Sequence, residues 1–156
     1  MSRILCFLLL LFLTQNILAQ EITLDSIQIK SKSCYRPKSK IKLILENHTG
    51  VELLRTNPMA PLQLFKWDGK KWNQVTQVGY CSCGILSCPP PPEYLPLGVN
   101  EVVEFEWDQM ESRCVDMQKG IKEYKWSGRG KYKVVFEFQK QRYSDSFRIE
   151  KAFKIH

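Results

Sequence analysis

The chain has 156 residues, 44% of them hydrophobic and 12% aromatic, and its 23 basic and 16 acidic residues give a net charge of +7. That balance excludes a disordered segment, a collagen-like fibre and a cysteine-dense miniature scaffold, and it leaves enough apolar material for one core-forming domain.

Met1, Ser2 and Arg3 precede an almost unbroken hydrocarbon run over residues 4–13. Thr14, Gln15 and Asn16 then turn polar, and Ala19 offers a small residue ahead of Gln20 and Glu21. A basic start, an apolar run of about ten residues and a small residue at the cut describe a secretory signal peptide over residues 1–20. The run falls short of the roughly 18 to 20 residues that span a bilayer, which disfavours a membrane anchor. Cleavage removes Cys6 and one base, Arg3, so the charge falls from +7 to +6. Residues 21–156 are a single-domain length able to bury about two-thirds of the unfolded chain's surface. The expected location is secreted or periplasmic, with no transmembrane segment after cleavage.

Period-two alternation then runs along most of the chain. Ile22 and Leu24, then Ile27 and Ile29, alternate with polar neighbours. Over residues 40–47 Ile41, Leu43 and Leu45 share a face, and His48, Thr49 and Gly50 turn the chain. Lys38, Lys40 and Lys42 fall on one strand face by the same period. A solvated face with edge-protecting lysines accounts for them better than an anionic polysaccharide or membrane surface as partner; no nucleic acid is expected. Residues 62–67 and 70–78 flank Asp68-Gly69, the strongest hairpin signal in the chain, and Trp67 and Trp72 are placed to pair across it. Val103, Phe105 and Trp107 alternate with Glu104 and Glu106, and Tyr132, Val134, Phe136 and Phe138 repeat the pattern. Residues 146–153 supply a last strand. One short helix is expected over residues 110–119 or the stretch just after them. Seven or eight strands at this spacing predict an all-β, antiparallel β-sandwich.

Residues 79–96, GYCSCGILSCPPPPEYLP, interrupt the pattern. Four consecutive prolines lack amide donors and favour stiff polyproline II backbone. Cys81, Cys83 and Cys88 precede them, Cys114 follows and Cys34 lies upstream, so five cysteines remain after cleavage. In an oxidising compartment two disulfides leave one thiol over. Extended chain points Cys81 and Cys83 to the same side, so the expected bridges run from Cys81 or Cys83 to Cys88, and from the loop to Cys114 or Cys34. They would pin the proline-rich loop. The alternative is an extracytoplasmic zinc or copper(I) site on Cys81, Cys83, Cys88 and Cys114, which has the ligand count but not the usual knuckle spacing.

Catalytic chemistry has little to stand on. His48 and His156 are the only histidines, neither lies in a nucleophile motif, and Glu104 and Glu106 suit a solvated face better than a glycosidase pair. Asp108 is placed to cap a turn. No enzyme activity and no cofactor are expected. Trp126 lies in a polar, glycine-bearing stretch beside Arg129. It is either an exposed binding side chain or, as the simpler account, a lid on the core. Asn47-His48-Thr49 is an N-glycosylation sequon. Ile85 and Leu86 make the proline-rich loop the preferred contact surface for a protein partner.

The string YLPLGVNEVVEFEWD over residues 94–108, with GKYKV at residues 130–134, resembles small bacterial immunoglobulin-like sandwich proteins. The BsuPI-type proteinase inhibitors share this layout, as do secreted proteins of unknown role with a CxC loop before the same turn, which Cys81, Cys83, Cys88 and Cys114 would match. Leu97 between Pro96 and Gly98 departs from the usual Pro-Gly step. The resemblance spans roughly residues 40–138. It implies an immunoglobulin-like fold and points to proteinase inhibition, with no inhibitory loop that carries over residue by residue.

Overall fold

In β3 (Ile41–Asn47), Ile41, Leu43 and Leu45 are fully buried while Lys42 between them is exposed, the alternation that a half-solvated strand imposes. The computed structural model describes residues 26–57, 62–77, 92–140 and 145–156. The leader, the Cys81–Cys83–Cys88 cluster and the Ile85–Leu86 pair lie outside them. The described residues contain no helix long and apolar enough to cross a membrane.

Twelve strands occur among the described residues. Besides β3 they are β1 (Ile27–Lys30), β2 (Cys34–Tyr35), β4 (Leu53–Thr56), β5 (Gln63–Trp67), β6 (Trp72–Gln74), β7 (Tyr94–Leu97), β8 (Val102–Trp107), β9 (Met110–Asp116), β10 (Ile121–Trp126), β11 (Gly130–Gln139) and β12 (Ser146–Ile155). One sheet has the order β1-β3-β8. A second has β2-β12-β11-β4-β7, with β5 and β6 joined to the same edge of β11. A separate two-stranded ribbon pairs β9 with β10. All pairings are antiparallel except β2 with β12.

The two larger sheets bury their apolar faces against each other. Phe105 meets Phe136 at 5.2 Å between ring centroids, and Trp107 meets Tyr132 at 5.4 Å. Leu64 of β5, Leu53 of β4, Leu97 of β7 and Phe153 of β12 complete the same cluster. Each such side chain contributes about 2 kcal/mol on burial, so this cluster is what holds the sheets together. Pro96 sits in β7 at the end of the sheet order, where a missing N–H breaks no ladder.

Four sequence expectations change. Residues 110–119 are not a helix: β9 occupies Met110–Asp116 and a turn occupies 117–120. Pairing with β10 satisfies its backbone, Asp116 Oδ1 accepts the N–H groups of Gln118 and Lys119, and Gly120 closes the turn at φ +67°. The described residues hold twelve strands, more than the seven or eight expected, because short β2, β7 and the ribbon lack a strong alternation. The reversal after β5 centres on Gly69 and Lys70 rather than Asp68 and Gly69. Asp68 N–H donates to Lys71 O at 3.2 Å, which puts Gly69 (φ +102°) first in the two-residue turn, and Trp67 packs on Trp72 as expected. Lys38 leaves the shared lysine face, since its backbone adopts φ +60° before β3 begins and its N–H donates to Gln109 Oε1 at 2.9 Å.

Candidate binding surface

The β9–β10 ribbon stands on a polar hinge. Asp108 Oδ1 accepts the Met110 N–H at 2.9 Å, the expected turn cap, and Gln109 reverses the chain at φ +66°. The Gln109 side chain is fully buried. Its Nε2 donates to the carbonyls of Arg36 at 2.8 Å and Ser39 at 2.6 Å, while its Oε1 accepts from Lys38. On the opposite strand Ser127 N–H donates to Gln109 O at 2.9 Å, and Trp107 Nε1 donates to Met110 O at 3.1 Å. Tyr132 completes the base: its hydroxyl lies 2.8 Å from Ser127 O and 2.7 Å from Gly128 O, and burial raises its pKa. These bonds tie the base of the ribbon to the body of the protein.

Beyond the hinge the ribbon is held by its own cross-strand pairs. Arg113 binds Glu123 with Nε to Oε2 at 2.6 Å, and Glu111 lies opposite Lys125. Met110, Ser112 and Cys114 fall on the other face, opposite Trp126, Tyr124 and Lys122. Toward the turn the side chains become apolar and open to solvent. Val115 is 59% exposed, Met117 and Ile121 are each 49% exposed, and Tyr124 is 60% exposed. These are four of the six large hydrophobics exposed among the described residues. Beside Tyr124 a cleft of about 340 Å³ is walled by Trp107, Met110 and Ser112. Among the described residues β10 pairs only with β9.

The sequence-derived candidates fall differently. Trp126 is half-buried at the ribbon's base, with Nε1 3.4 Å from Gln109 Oε1 and the Lys38 ammonium 5.9 Å from its ring centre. It sits against the hinge and is not among the residues of the hydrophobic core cluster that a lid on the core would join. Arg129 is exposed in the turn leading to β11. Cys34 and Cys114, the two cysteines among the described residues, do not bond each other. Cys34 Sγ lies 3.3 Å from His156 Nε2. His48 is engaged by Glu46 at 3.0 Å, and Glu104 and Glu106 pair with Lys42 and Lys40 at 2.6 and 2.9 Å. The apolar ribbon was missed in the sequence. Its only local signal is Asp116 followed four residues later by Gly120, a turn signature hidden under the expected helix.

No protein-family model, no curated protein and no solved structure matches the chain.

Proposed function

We propose that the chain is a secreted, non-enzymatic binding protein of the immunoglobulin-like β-sandwich class, which grips a partner protein with its β9–β10 ribbon. The observation that carries this is the exposure of Val115, Met117, Ile121 and Tyr124 on one anchored hairpin. Large apolar side chains left open to solvent on an anchored hairpin are candidate contact points, although Tyr124 and Val115 project from opposite faces of it. The resemblance to BsuPI-type inhibitors makes a proteinase the partner class to try first. Commitment of Glu104 and Glu106 to ion pairs, and of His48 to a hydrogen-bond contact with Glu46, leaves them poorly placed for catalysis.

Ser112 N–H donates to Thr76 O at 3.0 Å, so the chain departs for residues 78–91 from the side of β9. Cys81 is five residues beyond Thr76, a reach of up to about 17 Å, whereas Cys114 is about 7 Å along β9 from Ser112. A disulfide from Cys114 to Cys81 or Cys83 is therefore within reach, would pin Ile85 and Leu86 beside the ribbon, and would stabilise the fold by about 2 to 4 kcal/mol.

The test is a binding screen against serine, cysteine and metalloproteinases, run with wild type and with Val115→Ser/Ile121→Ser. The expected result is a proteinase held by wild type and released by the variant, with unchanged circular dichroism. Equal binding by both proteins removes the ribbon as the site. An empty screen removes proteinases as the partner.

A further inference from the structure

A different surface carries a second recognition site. Where β1 ends and the chain crosses through β2 to β3, a groove of about 830 Å³ opens beside the first sheet. Lys30, Lys32, Arg36, Lys40 and Lys42 line it, and no acidic side chain among the described residues does. We propose that this groove binds a compact ligand bearing two or more phosphate or sulfate charges.

The charge count sets the ligand's valence. Lys30 is paired with Glu46 at 2.7 Å, Lys40 with Glu106 at 2.9 Å and Lys42 with Glu104 at 2.6 Å, all from outside the groove. Lys32 and Arg36 are exposed and form no ion pair among the described residues. Two uncompensated cations therefore face the opening, and a guanidinium suits the forked oxygens of phosphate and sulfate. Ser31 also lines the groove, and its buried hydroxyl has no hydrogen-bond partner among the described residues. The carboxylates of Glu104 and Glu106 flank the lysines on β8 and end the positive field there. A compact dianion fits that boundary better than a broad polyanionic surface does.

Scattered surface lysines would give charge without shape. Here the walls are fixed. The Tyr35 hydroxyl accepts the Lys32 N–H at 3.0 Å and donates to Lys42 O at 3.0 Å, which pins one wall to β3. Its ring packs edge-on against Phe153 at 5.7 Å. Lys154 N–H donates to Ser33 O and His156 N–H to Tyr35 O, which ties the same segment to β12. Farther along, Arg36 O accepts from Gln109 Nε2 and from the Ser39 N–H, so the Arg36 turn is anchored too. A groove whose walls are already ordered loses little entropy on binding, and its volume lies in the small-ligand range. Cys34 also lines it, which places a thiol reporter inside the site.

Isothermal titration at low ionic strength with inorganic pyrophosphate and with a sulfated heparin disaccharide separates the two sources of such charge. Wild type is expected to bind at least one of them, and the bound probe is expected to slow alkylation of Cys34. Lys32→Ala/Arg36→Ala is expected to weaken binding about tenfold or more. Lys122→Ala/Lys125→Ala, which removes the same charge from β10, is expected to leave it within about twofold. Equal weakening by both variants would reduce the effect to net charge and overturn the site. Failure of wild type to bind either probe, binding without protection of Cys34, or binding confined to phosphatidylserine vesicles would overturn it as well.

Discussion

The side-chain amide of Asn47 donates to the main-chain carbonyl of Leu97 at 3.1 Å, 50 residues away along the chain. The same Nδ2 lies 2.9 Å from Gly98 O and 2.8 Å from Val51 O, while Oδ1 accepts from the Thr49 N–H and hydroxyl. Asn47 is fully buried and clips the β3–β4 turn to the end of β7.

That clip decides the fate of the sequon. A glycan on Nδ2 would displace the bonds to three carbonyls and force sugar into the core, so the folded protein is expected to leave Asn47 unmodified. Expression in a glycosylating eukaryotic host followed by intact-mass measurement checks this: folded protein should carry no hexose, and a folded, glycosylated species would sink the claim. Asn47→Ala strands several buried carbonyls and is expected to cost about 3 kcal/mol in urea unfolding.

Asp68 makes stability depend on acid. Its carboxylate accepts the N–H groups of Lys71 at 2.9 Å and Lys70 at 2.8 Å and the Asn73 amide at 2.6 Å, and these bonds lower its pKa to about 2. A carboxyl with a folded pKa below its unfolded value binds its proton more tightly in the unfolded chain. Its contribution is therefore complete above about pH 4 and disappears as pH falls toward about 2. Thermal melts of wild type and Asp68→Asn should differ at neutral pH and converge across that window. Parallel curves over the whole range would remove Asp68 as the source.

Legibility in the sequence followed burial. β3 and β11 were readable because one face of each enters the core, so Leu43, Leu45, Tyr132, Val134 and Phe138 had to be apolar at every second place. The ribbon was misread because neither of its faces is buried in that way: MESRCVD carries no alternation to find, and a helix was as compatible with it as a strand. Gln109 and Asn47 were invisible for another reason. An amide's burial is explained by its partners, and Gln109 reaches Arg36 across 73 residues. The lysine face was extended one position too far toward the N-terminus because Gln109 captures the Lys38 N–H and bends the chain. Trp126 was noticed for its polar surroundings, yet those surroundings are the hinge it sits against.

Cys34 is the expected leftover thiol. Removal of the expected leader would leave an odd number of cysteines, so a fully oxidised monomer would keep one sulfur unpaired. The start of the proline-rich loop is anchored beside β9 through Thr76 and Ser112, which favours Cys114 as the sulfur outside the loop that enters a bridge. Cys34 stands instead on β2, opposite Lys154 of β12, exposed and 3.3 Å from the imidazole of His156. Alkylation of the native, unreduced protein followed by peptide mapping should therefore place the label on Cys34. It should also recover Cys114 in a disulfide-linked peptide with residues of the 78–91 segment. Replacing Cys34 by serine should abolish the label with little change in melting temperature, since the side chain is exposed and buries no apolar surface. A label on Cys114, with Cys34 recovered in a bridge, would reverse the assignment and move the loop's anchor from the ribbon to β2.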